Sequence, residues 1–169
     1  MPETAYILLG SNVGDREKNL LTAIDGLAAL PGLEIVATSG IYVSAAQEME
    51  GENPSFMNQA VMTDYGYSPH ELLAALERLE KDMGRTDKGR KKPRVIDLDI
   101  LLFGDRVVKT ENLEIPHPQL LKRAFAMLPL IQITPDLTHP VSGKPIASYV
   151  KESHKREVLL YKDHVARNI

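Results

Sequence analysis

Two aspartates spaced by two are the residues of this sequence whose type and position most directly suggest chemistry. Asp97 and Asp99 lie in the apolar run 94–103, which Pro93 precedes and Gly104 follows. Its length, β-branched residues and flanking turn residues favour a strand, on which residues two apart face the same side. Adjacent carboxylates repel unless a cation lies between them. The pair therefore indicates a site for Mg²⁺, which takes oxygen ligands and often bridges carboxylates to phosphates.

A strongly basic segment, residues 85–94, leads into the aspartates. It holds six lysines and arginines against one aspartate, a net charge of +5. Each feature alone has a simpler interpretation, because an Asp-x-Asp pair can cap a turn or bind an arginine, and a charge run is often a solvated loop. Together, a basic segment and an acidic strand predict a polyphosphate site.

The composition excludes several classes of protein. A length of 169 residues with 43% hydrophobic and 25% charged residues predicts one globular domain over 1–169. The net charge of −3 argues against nucleic-acid binding, and the lack of cysteine excludes disulfides and thiolate chemistry. No histidine pair has zinc-ligand spacing. Without a leader pattern or a run of ~20 apolar residues, we expect a monomeric cytoplasmic protein that does not contact membranes.

The hydrophobic periodicity predicts strand, helix, strand, strand, helix, strand. The best-marked helix covers 68–84, where Ser68 is the N-cap, Pro69 the first helical residue and Glu71 completes a capping box. This order is the βαββαβ arrangement of ferredoxin-like folds, an α+β class with helices on a mostly antiparallel sheet and extra C-terminal elements. The strands are expected at 5–10, 33–43, 55–65 and 94–103.

The connecting and C-terminal segments give weaker signals. Residues 44–54 show no periodicity and predict a mobile loop. The pair Gly104-Asp105 predicts a hairpin turn, and Pro129 predicts a kink or two short helices within 119–133. One last short strand is expected at 158–161.

Several short motifs, in order along the chain, resemble the 6-hydroxymethyl-7,8-dihydropterin pyrophosphokinase family over about residues 5–137. The block from Pro93 to Ile100, read as Pro-Arg-x-Ile-Asp-Leu-Asp-Ile, is very specific to that family. The others are individually weak but follow in register: Leu8-Leu9-Gly10-Ser11-Asn12, Phe56-Met57-Asn58, Gly84-Arg85, Ile115-Pro116-His117-Pro118, Arg123-Ala124-Phe125 and Leu128-Pro129-Leu130.

The resemblance implies an enzyme of folate biosynthesis. Such enzymes transfer diphosphate from ATP to the hydroxymethyl oxygen of the pterin and release AMP. By similarity, Asp97 and Asp99 hold two Mg²⁺ ions, and Arg85 and Arg94 approach the ATP phosphates. In this type of transfer the protein mainly positions the reactants and neutralises charge.

The resemblance also assigns the remaining site residues. A flat pterin needs aromatic faces around it and an amide at its edge. Without the resemblance, Phe56 and Phe125 would be interpreted as core residues and His117 as a turn histidine. Glu77 and Glu80 would be interpreted as part of a solvated helix face. The pterin side is implied to include Ser44, Phe56, Asn58, Asp97 and Phe125. The nucleotide side is implied to include Glu77, Glu80, Arg85, Arg94, Ile100, His117 and Arg123.

The chain departs from the family pattern in its two substrate-covering loops. Lys91-Lys92 replaces a common tryptophan-glycine pair, and Ser44-Ala45-Ala46 stands where threonine and proline are usual. A catalytically impaired ligand-binding module is therefore an alternative, although pure binding does not need two converging carboxylates. An RNA-binding ferredoxin-like domain would need exposed aromatics and a broad basic face, which three phenylalanines, no tryptophan and a negative net charge argue against.

Overall fold

The computed structural model describes residues 2–44, 55–84 and 95–162. Residues 45–54 of the predicted loop 44–54 lie outside these ranges, as does the basic segment with Arg85 and Arg94, whereas Ser44 is the last residue of a strand. Within them the helices and strands follow one another as β1 (Glu3–Ser11), α1 (Arg16–Ala28), β2 (Leu33–Thr38), β3 (Ile41–Ser44), β4 (Phe56–Tyr65), α2 (Pro69–Asp82), β5 (Asp97–Phe103), β6 (Val108–Lys109), β7 (Glu114–Ile115), α3 (Ala124–Ile133), α4 (Glu152–Glu157) and β8 (Val158–Lys162).

The main sheet is antiparallel and has the strand order β5-β1-β4-β3-β8, with β2 also paired to β4. α1 and α2 pack on one face and α3 on the other. The predicted ferredoxin-like α+β fold is confirmed. β3 and β8 extend the sheet on the side opposite β5.

The central strand β1 supplies both hydrophobic cores, because successive side chains of a strand point to opposite faces. Ala5, Ile7 and Leu9 belong to the core beneath α1 and α2, which we call the α1/α2 core. Tyr6 and Leu8 belong to the core beneath α3, which we call the α3 core. All five are at most 5% exposed, so the sheet is covered on both faces along most of β1.

The predicted strand 33–43 is two strands, because Ser39 interrupts the ladder. Its hydroxyl accepts a hydrogen bond from the Ala60 N–H at 2.9 Å and donates to the Gly40 carbonyl at 2.7 Å. Gly40 also permits the close approach of β8, since a Cβ there would lie 2.5 Å from the Lys162 carbonyl oxygen. The break thus lets both halves pair with β4 while only the second half also pairs with β8.

Other local predictions had mixed outcomes. The capping box of α2 is present, with Ser68 and Glu71 bonded reciprocally. The predicted turn at Gly104-Asp105 is present, with the Arg106 N–H donating to the Phe103 carbonyl at 3.0 Å. It does not close a hairpin, because β6 pairs with β7 rather than with β5. After this turn, the Arg106 guanidinium forms an ion pair with Glu3 at the start of β1.

The C-terminal part contains the predicted short strand, β8, and an interrupted helical segment. Within 119–133, a 3-10 helix (Leu120–Lys122) precedes α3, so the predicted interruption is present. It falls at Arg123, however, while Pro129 lies inside α3. No helix in the described ranges is long and apolar enough to cross a membrane.

Candidate active site

The acidic pair lies at one edge of the sheet, on the face that α3 covers. Asp97 is opposite Gly10 and Asp99 is opposite Leu8, which belongs to the α3 core. Both carboxylates are half-buried, whereas Leu98 between them faces the α1/α2 core. The alternation of the strand therefore places the two carboxylates side by side, as their spacing predicts.

Next to the acidic pair, the glycine at position 10 lets neighbouring side chains approach the backbone of β1 closely. In register, Gly10 lies between Asp97 of β5 and Asn58 of β4. A Cβ at this position would lie 2.9 Å from Asn58 Oδ1, 3.7 Å from Phe56 Cδ1 and 3.9 Å from Asp97 Cβ. An amide, an aromatic ring and a carboxylate therefore meet closely over Gly10. We call this position, where β1 carries no side chain, the gap at Gly10.

The Asn58 side chain is held in one orientation. It is 3% exposed, and its Nδ2 donates to the Ser44 hydroxyl at 3.2 Å, so that Oδ1 is directed over Gly10. Within the described ranges, no donor contacts this oxygen. A buried polar atom without a partner costs about 1–3 kcal/mol. An N–H group of a bound molecule would remove that cost.

Of the residues predicted to lie on the nucleotide side, Glu80 and Ile100 are buried, whereas Glu77 is exposed. The Glu80 carboxylate is 2% exposed and accepts a hydrogen bond from the Leu98 N–H at 2.7 Å. Ile100 is 5% exposed and packs in the α1/α2 core, so any contact it makes with a nucleotide must use its backbone. Glu77 is exposed on the previous turn of α2.

His117 lies in the electrostatic neighbourhood of the acidic pair. Its backbone N–H donates to the Leu101 carbonyl at 3.0 Å, and its Nδ1 accepts from the Gln119 N–H at 3.1 Å. Nε2 therefore carries the proton of the neutral ring. Burial lowers the pKa of His117; the Asp99 carboxylate opposes this shift, and the Arg123 guanidinium reinforces it.

Arg123 and Phe125 stand at the beginning of α3, beside the α3 core. Arg123 is the N-cap residue, and its guanidinium carbon lies 5.5 Å from the centre of the Phe125 ring. Phe125 is half-buried against the α3 core, whereas Phe56 borders the gap at Gly10. That the two rings flank one substrate stays a prediction.

The structure thus groups most of the predicted site residues at one end of the sheet. Gly10 was part of a resembling motif but was not predicted as a site residue. The signal that could have identified it is a glycine at the end of a buried strand, where close approach of a ligand is a common reason for the residue.

The donors of the acidic pair fit a hard divalent cation. Carboxylate oxygens are the ligands that Mg²⁺ prefers, and it usually keeps several waters and binds substrate phosphates besides one or two protein carboxylates. No group of three or more histidine, aspartate or glutamate side chains converges in the described ranges. Two half-buried aspartates therefore suit a metal that arrives with a phosphate substrate rather than a closed structural site.

The fold and the site define a class: ferredoxin-like domains with an acidic pair beside a glycine that an amide and an aromatic ring approach closely. Within this class, the model of the family described as 7,8-dihydro-6-hydroxymethylpterin-pyrophosphokinase (HPPK) matches residues 6–135. The chain belongs to this family. The resemblance of the short motifs to that family is thereby confirmed.

Relatives with that activity in their names align along most of the chain. The 2-amino-4-hydroxy-6-hydroxymethyldihydropteridine pyrophosphokinase of Aquifex aeolicus is 40% identical over 150 residues, which cover 89% of this chain and 92% of that protein. Its namesake from Pseudomonas aeruginosa is 36% identical, with 83% and 86% covered. The folic acid synthesis protein fol1 of Pneumocystis carinii is 40% identical over 89% of this chain, which spans only 20% of its length.

A solved structure supports the fold. The Plasmodium falciparum HPPK-DHPS structure with pterin and p-hydroxybenzoate superposes with a TM-score of 0.70 over 99% of this chain and 48% of that one. At 16% identity, this similarity concerns the fold alone.

Proposed function

We propose that this chain transfers the terminal diphosphate of ATP to the hydroxymethyl oxygen of 6-hydroxymethyl-7,8-dihydropterin. The products are AMP and the pterin diphosphate, and the reaction belongs to folate synthesis. The family of the chain, one of ATP-dependent pyrophosphokinases, supports the reaction type. The observation that carries the assignment of the site is the gap at Gly10, which brings Asn58, Phe56 and Asp97 together.

The gap suits the pterin. Asn58 Oδ1 is oriented toward it and has no donor in the described part of the chain, so an N–H at the edge of a pterin would satisfy it. Phe56 offers an apolar ring beside the same gap, and Phe125 is proposed as the second stacking ring. With the ring system held there, its hydroxymethyl arm lies next to Asp97.

The acidic pair would hold two Mg²⁺ ions, through Asp97 and Asp99. When bound, the ions neutralise the triphosphate and polarise the attacked phosphorus. The protein contributes a β5 strand that keeps the two carboxylates on one face, next to the proposed pterin position. Because β5 is an edge strand in the described sheet, the triphosphate can approach from solvent.

The nucleotide would lie along the outer edge of β5, where the backbone of Ile100 and the side chains of His117 and Arg123 are within reach. The neutral His117 ring has an Nε2–H that can donate to the nucleotide, because its Nδ1 is already bonded to Gln119. Arg85, Arg94 and Glu77 are proposed to complete the nucleotide side by family resemblance. Glu80 has a different position, which is considered below.

AMP release from ATP and Mg²⁺, measured with and without 6-hydroxymethyl-7,8-dihydropterin, tests the proposal. We expect AMP to form only when the pterin is present, because the hydroxymethyl oxygen accepts the diphosphate. The control is the pterin without the hydroxymethyl group, which should bind but give no AMP.

Two outcomes contradict the proposal in different ways. If ATP and the pterin bind by calorimetry but no AMP forms, the chain is a ligand-binding module and the departures in its loops explain the loss of turnover. If neither ligand binds, the assignment of the gap and of the acidic pair is wrong.

A further inference from the structure

Glu80 places a carboxylate in the protein interior directly behind the acidic pair. It is 2% exposed, although Glu77 one turn earlier on α2 faces solvent. Burying a carboxylate is costly unless its oxygens accept hydrogen bonds. Its Oε2 accepts one at 2.7 Å from the N–H of Leu98, the residue between Asp97 and Asp99.

The position of β5 explains why Leu98 needs this partner. β5 is at the edge of the described sheet, where β1 is its neighbouring strand. Successive N–H groups of a strand point to opposite sides, so an edge strand directs every second N–H away from its neighbour. The Glu80 carboxylate takes the place of a further strand at Leu98 and fastens β5 to α2.

We propose that Glu80 is a positioning residue for the acidic pair. By accepting the Leu98 N–H, it fixes the backbone between Asp97 and Asp99, and with it the separation and direction of the two carboxylates. α2 is a firm support because its N-terminus is held by a complete capping box. The inference rests on the proposed function, since it assumes that the two aspartates bind Mg²⁺.

This role differs from the nucleotide contact that family resemblance implies for Glu80. A positioning role needs an acceptor oxygen of the right shape, whereas a direct contact through charge needs the carboxylate itself. Glu80→Gln retains an acceptor oxygen and removes the charge, while Glu80→Met keeps a similar volume and removes the acceptor. The two variants therefore separate the two roles.

The experiment uses the full chain with E80Q, E80M and the control D82N, which removes one exposed negative charge from the same helix. Amide hydrogen exchange at Leu98 is measured without ligands, and the Mg²⁺ concentration for half-maximal AMP formation is measured with both substrates. In E80M we expect Leu98 to lose protection and the Mg²⁺ requirement to rise about 10–100-fold, the usual cost of losing a residue that orients metal ligands. E80Q and D82N should stay close to wild type.

An E80Q variant as defective as E80M would overturn the positioning role, because the charge would then be what matters. A folded E80M with unchanged Leu98 exchange or an unchanged Mg²⁺ requirement would also overturn it. If E80M does not fold, E80Q must keep both the Leu98 protection and the Mg²⁺ requirement of wild type, and the loss of either overturns the positioning role. If the wild-type chain forms no AMP, the proposed function is overturned instead. The exchange measurement at Leu98 does not depend on that function and still tests whether Glu80 holds the backbone.

Discussion

The two faces of the sheet are built from the same strands but serve different purposes. On the face under α1 and α2, side chains such as Leu20, Leu27 and Leu72 are at most 1% exposed and close the core completely. On the face under α3, Leu8 is the last apolar side chain of β1, with Asp99 opposite it, and Gly10 follows between Asn58 and Asp97. Neighbouring residues of one strand face opposite sides of the sheet, so one residue contributes to stability and the next contributes to the site.

The largest expected effect is that of replacing an aspartate on the face under α3. Asp97→Ala or Asp99→Ala should lower the rate of AMP formation about 1,000-fold or more, because several kcal/mol of charge stabilisation is lost. The fold should persist, since both side chains lie outside the two cores. Steady-state rates together with circular dichroism measure both quantities. Near-normal activity in either variant would contradict the metal assignment.

The next largest effect is a loss of stability on the face under α1 and α2. Leu27→Ala removes a fully buried side chain from α1 and should lower the free energy of unfolding by about 2–5 kcal/mol. Urea unfolding measures the loss. The KM for pterin should not change, because Leu27 lies at the end of α1 remote from Gly10. A large rise in that KM would show that the two faces are not independent.

A smaller effect is expected from Gly10→Ala. The added methyl group would lie 2.9 Å from Asn58 Oδ1 and fill the gap, so we expect the Kd for pterin to rise about 10-fold, or ~1.4 kcal/mol, while ATP binding is kept. Calorimetry with each ligand measures this. The matched control is Gly66→Ala, whose Cβ would meet only the Gly32 carbonyl oxygen at 3.7 Å. Equal losses for both variants would argue against a pterin at Gly10.

The smallest effect concerns pH and lies away from the site. Burial lowers the pKa of His139 from its ordinary 6.5, and its Nδ1 accepts hydrogen bonds from the N–H groups of Val141 and Ser142. The unfolded chain therefore binds a proton first, and stability is lost as pH falls from 6.5 toward the lower folded pKa. His139→Asn keeps an acceptor without titrating, so its unfolding free energy should fall less than wild type over that window. Parallel pH curves would contradict this.

Features encoded by neighbouring residues could be predicted from the sequence. α2 was identified because Ser68, Pro69 and Glu71 are local signals of a helix start, and they form the capping box in the structure. The shared face of Asp97 and Asp99 follows from strand alternation alone. The family resemblance added Asn58 and Phe56, which the structure places around one gap.

Features that depend on distant residues were missed. The gap at Gly10 exists only in the register that aligns β5, β1 and β4, and no local pattern encodes that register. The predicted hairpin after Gly104 is absent because β6 pairs with β7, and this pairing partner lies further along the chain. Without the family resemblance, the helical pattern predicts that Glu80 belongs to a solvated face, because its partner Leu98 is 18 residues further on.

The pairing of β3 with β8 beside Gly40 has a consequence for the order in which the molecule is assembled during translation. The ferredoxin-like strands β1 to β5 are complete once Phe103 has left the ribosome, but β8, which pairs with β3, begins only at Val158. Until then, β3 is an unprotected sheet border, and it carries the Ser44 hydroxyl that orients Asn58. β3, which carries Ser44, is therefore the last strand of the sheet to gain its second neighbour, and it does so long after the acidic pair has been synthesised.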